Sequence, residues 1–304
     1  MIKQRVISEL KKQADILGSG AKAARKAGIS EATFSQLMSG TYKAVGEDIY
    51  YKIARALDIR VDNWQVLSTR NFQIITSVLE DSQLGAQFRI ISERAGSGKT
   101  TAAKYYTGQN AGNAFYIQCR EWSRTRFMDT VMRTIGLVPT NNVDTFIEKV
   151  SEFLLMKDKP LIIIDEADKL KPAALRLLIP LYNECEGHLG MTLLGTDNLE
   201  KELKRGVKFD QKGYDELYSR FGRTCVHLVG EDQKSVTNIC KLNGITDPSV
   251  SDGIFKSCTL ESVPVRNAFQ LVVKDLRQLK SRIQGALLTL SNQNQERVME
   301  AQVA

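Results

Sequence analysis

Polar and apolar positions alternate with different periods in three successive parts of the chain. From residue 86 to about 230, short apolar runs at 86–92, 114–119, 160–165, 189–196 and 223–229 read as strands. The stretches 99–107, 124–136, 144–156 and 172–186 between them have helical periodicity. This alternation predicts the α/β class: a parallel sheet flanked by helices on both faces. Leu161-Ile162-Ile163-Ile164 is apolar at every position, which suits a central strand buried on both sides. Residues 1–65 carry short helical patterns and predict a small all-α domain; residues 66–85 read as a linker with a helical stretch from Asn71 to Glu80. Helical periodicity returns over 231–290, with breaks at Gly244 and Asp247-Pro248, and residues 291–304 form a polar tail expected to fray.

Composition narrows the setting. The chain has 304 residues, enough for two or three units, and 42% hydrophobic with 25% charged residues is ordinary for a soluble globular protein. No long apolar run occurs and Met1 to Leu17 is charged throughout, so a cytoplasmic protein without a membrane partner is expected. The five cysteines include no CxxC pair, and with only His188 and His227 available they read as buried thiols rather than zinc ligands. The net charge of +7 lies mainly at the front, where residues 1–65 hold 11 Lys/Arg against 7 Asp/Glu. Such an excess is compatible with a polyanionic partner.

The candidate chemistry begins at Arg89-Ile90-Ile91-Ser92-Glu93-Arg94-Ala95-Gly96-Ser97-Gly98-Lys99-Thr100-Thr101, an apolar strand running into a glycine loop and a helix. In a phosphate-binding P-loop, backbone N–H groups converge at a helix N-terminus whose dipole favours anions. Ala95 through Thr101 would line the phosphates of ATP, with Lys99 on the β- and γ-phosphates and the Thr100 hydroxyl on Mg²⁺. The standard pattern puts its first glycine where this chain has Glu93. A left-handed backbone at that residue would cost about 1–2 kcal/mol, so the loop is expected to start with a different turn.

Leu161-Ile162-Ile163-Ile164-Asp165-Glu166 supplies the complement. Asp165 would hold the Mg²⁺ shell, and Glu166 would polarise the water that attacks the γ-phosphate. Asp168 reads as a loop or cap residue. The run from Leu189 ends in Gly195-Thr196-Asp197-Asn198, so Thr196, or Asn198 after it, is placed to sense the γ-phosphate; a helix N-cap explains Asp197 or Asn198 nearly as well.

The order P-loop, Asp-Glu strand, polar-ended strand and Leu217-Tyr218-Ser219-Arg220-Phe221 resembles the AAA+ ATPase family over about residues 70–285. The resemblance implies that Arg220, with Arg223 as fallback, reaches the nucleotide of a neighbouring subunit, a cation worth about 10³–10⁵ in rate. It also implies a helical lid. Val263-Pro264-Val265-Arg266-Asn267 matches its phosphate-sensing segment, taken as the start of a long helix, with Arg266 on the nucleotide.

In Gly20 to Ser39, Ala24 stands where a helix-turn-helix needs a small residue, Gly28 at the turn, and Ser30 as an N-cap. Thr33 and Gln36, with Lys43 just beyond, would then meet DNA, near the basic residues Lys22, Arg25 and Lys26. A small protein-docking domain of the same shape is the alternative. The whole order of parts resembles the target-selecting transposition ATPases of the phage Mu B protein type and, more distantly, TnsC and IstB. That resemblance implies self-assembly as a helical filament or ring on double-stranded DNA, without sequence preference, and a transposase partner. DNA contacts would come from Arg120, Arg124, Arg126 and Arg133, or from Lys169, Lys171 and Arg176, with Arg277, Lys280 and Arg282 a third possibility. A replication initiator or helicase loader, a nucleotide-sensing transcription regulator and a chaperone-like remodeller remain the alternatives.

Overall fold

The computed structural model describes residues 2–40, 45–57, 64–265 and 268–303. Four helices come first: α1 (Ile2–Leu17), α2 (Gly20–Ala27), α3 (Glu31–Met38) and α4 (Glu47–Ala56). Gly28, at φ 69°, ends α2, and the Ile29 N–H donates back to the Ala24 carbonyl at 3.0 Å. Ser30 then caps α3 by accepting from the Thr33 N–H at 3.1 Å. Val6, Leu10, Ala23, Ala27, Leu37, Tyr50 and Ile53 form the core of this unit.

Helix α5 (Arg70–Leu84) follows, then β1 (Phe88–Ser92), α6 (Lys99–Gln109), β2 (Ala114–Gln118), α7 (Arg124–Thr134), α8 (Val143–Leu155) and β3 (Leu161–Asp165). A single 3₁₀ turn at Ala167–Lys169 leads to α9 (Pro172–Leu175) and α10 (Leu178–Glu184). Next come β4 (Gly190–Gly195), α11 (Asp197–Lys208) and α12 (Tyr214–Arg220). The strands are parallel in the order β1-β4-β3-β2, so β4 separates the P-loop strand from the Asp-Glu strand. Side chains leave a strand alternately: Ile162 and Ile164 enter the core shared with α7, α8 and α10, while Leu161 and Ile163 meet α5 and α6. That two-sided burial is the reason β3 has no polar position before Asp165.

The C-terminal part contains α13 (Gln233–Leu242), α14 (Pro248–Ser257), the antiparallel strands β5 (Leu260–Val265) and β6 (Ala268–Val273), and α15 (Leu276–Val303). Its core joins Val236, Ile239, Ile254, Phe255, Leu279 and Ile283, and Trp64 and Leu67 pack against it. The chain therefore passes between this part and the sheet twice, at 64–70 and at 229–231. These crossings are bonded to each other. Asn71 Oδ1 accepts from the Val229 and Gly230 N–H groups, each at 3.1 Å, and Thr69 donates to the fully buried Glu231. No helix among the described residues is long and apolar enough to cross a membrane.

Four expectations change. The run 223–229 forms no full strand; it makes one parallel bridge, Ile91 to Val226, because the next N–H, that of Leu228, is taken by the Glu93 side chain at 2.9 Å. The helical stretch expected at Asn71 to Glu80 is present as α5, but it packs as part of the core rather than as a free connector, with Ile75 and Leu79 fully buried against the sheet. Where a long helix was expected to open, Val263 to Val265 lies in a hairpin. Its β-branched residues favour extended backbone, and Pro264 lacks the N–H that a helix interior needs. The polar tail continues α15 as helix through Val303, since its Gln, Glu, Arg and Met residues are all fair helix formers.

Candidate functional site

The loop between β1 and α6 is shaped by two glycines, Gly96 at φ 85° and Gly98 at φ 92°. At Gly96 a Cβ would also sit 2.2 Å from Oδ1 of Asp275, so the approach of the C-terminal part excludes any side chain there. The Gly96 carbonyl in turn accepts from the Leu276 N–H at 2.8 Å. Glu93 is not among the residues at positive φ, so its replacement of glycine carries no backbone penalty. Its buried carboxylate instead accepts from the Leu228 N–H and lies 3.5 Å from Lys274 Nζ, while Arg94 pairs with Glu261 at 2.6 Å. Glu93 and Arg94 thus fasten the loop to the last core segment and to the hairpin.

Lys99 is buried and curls over the loop, donating to the Arg94 carbonyl and Ser97 Oγ at 3.0 Å each. Burial lowers its pKa, with Asp165 and Glu93 opposing the shift. Thr100 Oγ1 donates to Asp165 Oδ2 at 2.6 Å, and the Tyr116 hydroxyl donates to the same oxygen at 2.6 Å. Thr100 and Asp165 form a pair of hard oxygen donors that fits a magnesium ion completed by phosphate oxygens and water. Glu166 follows at φ 56°, a left-handed conformation that costs a non-glycine residue about 1–2 kcal/mol. Its carboxylate pairs with Lys169 and accepts from Gln118 Nε2 at 3.2 Å. Thr196 donates from its hydroxyl to Asp168 at 2.8 Å and caps α11, so Asp168 anchors the end of β4.

These groups line one cavity of about 740 Å³. Ala95, Gly96, Ser97, Gly98, Lys99, Thr100, Thr101, Asp165, Glu166 and Thr196 all border it. Part of its wall went unread in the sequence: Trp64, Phe72, Ile239 and Leu279 make an apolar end, Leu276 lies against the loop itself, and Lys280 Nζ lies 5.2 Å from the Trp64 ring centre. Arg277 borders the same space. Tyr116 was also missed, although a tyrosine in an otherwise apolar strand beside β3 was a usable signal. Size and lining suit a nucleotide, with phosphates at the loop and a flat base at the apolar end.

Other predicted residues lie elsewhere. Arg220 does not border the cavity; it packs over the Tyr182 ring at 5.0 Å and bonds Asn183 and Glu216, each at 2.7 Å. Arg223 pairs with Asp215 at 2.7 Å. Arg266 and Lys43 fall outside the described residues. Thr33 shares a hydrogen bond with Ser30, and Gln36 is exposed. The two basic stretches offered as alternatives meet: a bridge between Trp122 and Leu170 brings Arg120, Arg124 and Arg126 beside Lys169 and Lys171, all exposed. Arg126 is paired with Asp129, as is Arg133.

Comparison with known proteins locates the likeness in this core. Residues 81–203 match the family model described as AAA domain. No curated protein matches the chain. Among solved structures the chain is similar to the RuvB Holliday junction branch migration motor of Thermotoga maritima, at 16% identity and a TM-score of 0.39 over 60% of this chain and 54% of that one. It is also similar to a chain of the Drosophila ORC bound to AT-rich DNA and Cdc6, at 11% identity and a TM-score of 0.34, over 71% of this chain and 95% of that one. The chain thus spans about half the length of the RuvB it resembles. Residues 81–203, which match the AAA domain model, hold the parallel sheet, the P-loop and the Asp-Glu strand.

Proposed function

We propose that this protein is an ATPase that assembles on double-stranded DNA without sequence preference and delivers it to a transposase. The observation that supports the DNA reading is the Trp122–Leu170 bridge, which sets the segment of exposed Arg120 and Arg124 next to that of Lys169 and Lys171, with Lys169 at the cavity and paired to Glu166. Exposed cations at the edge of a nucleotide site let phosphate backbones bind and couple that binding to turnover. Magnesium would supply charge neutralisation at the β- and γ-phosphates. Lys99 would bind those phosphates, and Glu166 would accept a proton from the attacking water. Arg220 would act on the nucleotide of an adjacent subunit, which agrees with its position away from its own cavity. Arg277, on the wall of the cavity, is the described cation best placed to meet the phosphates from the C-terminal side. The transposase rests on the order of parts.

The N-terminal helices support an operator-reading regulator poorly. The Lys22 stem packs on Gly136, Arg25 bonds the Gly136 carbonyl at 3.4 Å, and Lys26 donates to Gln13 at 2.8 Å. Electron microscopy with random duplex DNA, with and without ATP, tests the proposal. ATP-dependent filaments or rings are expected, and their absence rejects it. In the same preparation Arg220→Ala should lower DNA-stimulated hydrolysis about 10³-fold; full activity would reassign the finger to Arg223.

A further inference from the structure

The C-terminal end of α11 carries a patch that takes no part in the cavity. Leu203 and Gly206 are buried, and a Cβ at Gly206 would fall 2.1 Å from Cδ1 of Tyr214, so α11 lies tight against α12. Asp210, at φ 49°, then turns the chain, and the Gln211 N–H donates back to the Gly206 carbonyl at 2.9 Å. Phe209 is left outside, 62% exposed. Arg205 and Lys208 lie over its ring, with the guanidinium carbon 6.0 Å and the ammonium nitrogen 5.8 Å from the ring centre. The nearby acids are mostly engaged elsewhere: Glu200 pairs with Lys204 at 2.6 Å and Glu202 accepts from the Tyr214 hydroxyl at 2.8 Å, which leaves Asp210 as the exposed acid of residues 200–212. Arg205, Lys208 and Lys212 are exposed and have no ion-pair partner among the described residues. The Arg176 stem passes over the same turn, 2.9 Å from where a Cβ on Gly213 would sit.

We infer that this patch binds an unpaired nucleic-acid strand, with a base stacked on Phe209 and the flanking phosphates on Arg205, Lys208 and Lys212. The inference goes beyond the duplex reading above and does not depend on it. A duplex keeps the faces of its bases stacked inside and offers a protein surface mainly its phosphates and groove edges. An unpaired strand offers phosphates and base faces together, and a ring set among cations matches both at once. Every base has a π-face, so a single phenylalanine holds a strand without reading its sequence. Arg205 serves either part, since a guanidinium plane can stack on a base or bond a phosphate. Because Phe209 is already exposed, its site needs no opening of the fold.

The test is anisotropy of the full chain with three labelled strands of about 20 nucleotides: oligothymidine, oligouridine and a base-free backbone of the same length. Phe209→Leu, which keeps an apolar side chain and removes the π-face, should weaken binding of the base-bearing strand about tenfold. Phe209→Trp should hold it within about twofold. The double change Arg205→Ala with Lys208→Ala should lower the slope of log affinity against log salt by about 1.4, the share of two cations on a single strand. ATP turnover without nucleic acid should be unchanged in all three variants, because none of these residues borders the cavity. Binding of either base-bearing strand supports the inference, and the tighter one names the sugar. Undiminished affinity in Phe209→Leu, or a base-free strand that binds as tightly as the others, overturns it and leaves a patch for polyanions in general. A parent that holds the single strand and ignores duplex DNA would reject the duplex reading while this inference stands.

Discussion

The nucleotide cavity and the N-terminal helices handle polar residues in opposite ways. Around the P-loop, Thr100 and Asp165 stand 65 positions apart in sequence and meet within hydrogen-bond distance at the border of one cavity. In the N-terminal unit Arg25 and Lys26, two of the cations beside the helix-turn-helix, turn to internal partners, and burial holds the pKa of Lys26 below its ordinary value. Charge counted along a sequence therefore says little about where a polyanion binds. What matters is whether the cations are left without partners on a shared surface.

Five variants test this contrast, beginning with the cavity. Glu166→Gln should lower turnover about 10³-fold, the scale of a lost general base, while the protein stays ATP-bound on DNA; rapid ADP release would refute the assignment. Lys99→Ala should weaken ATP binding about 100-fold by titration with a fluorescent nucleotide, since it removes charge-assisted bonds to phosphate. Glu93→Ala strips the buried Leu228 N–H of its acceptor and should destabilise the fold by about 2 kcal/mol in denaturant unfolding. A stable Glu93→Ala would mean that the loop needs no such anchor. The double change Arg120→Ala with Arg124→Ala should weaken duplex binding about tenfold and flatten its salt dependence. Lys22→Ala should change DNA affinity by less than about twofold, because its stem is packed against Gly136. A larger loss there would reverse the comparison and return the N-terminal unit to the DNA interface.

How legible a feature was depended on how local its cause was. The strand, glycine loop and helix from Phe88 to Gln109 and the run Leu161 to Glu166 follow from periodicity and short-range geometry, so their elements and the Asp165 pairing were readable. The fifth strand was not, because a side chain from another segment, Glu93, intercepts the N–H that would have extended it. The hairpin at 260–273 was hidden for a different reason: a few apolar residues around Pro264 fit helical and extended spacing equally. The apolar end of the cavity was unreadable because Trp64, Ile239 and Leu279 have the character of ordinary core residues. Glu93 appeared costly only on the assumption of a left-handed backbone, which the loop does not adopt at that position.

The paired crossings at 64–70 and 229–231 have a mechanical meaning. A body joined to another by two strands of chain that are bonded side by side, here through Asn71 and through Thr69 with Glu231, can swing about the line they define and resists twisting or sliding. The first of the two strands leads back to the N-terminal helices and borders the cavity. Filling or emptying that cavity would then act like a hand on a hinged door whose pin is also the cord to the front of the molecule.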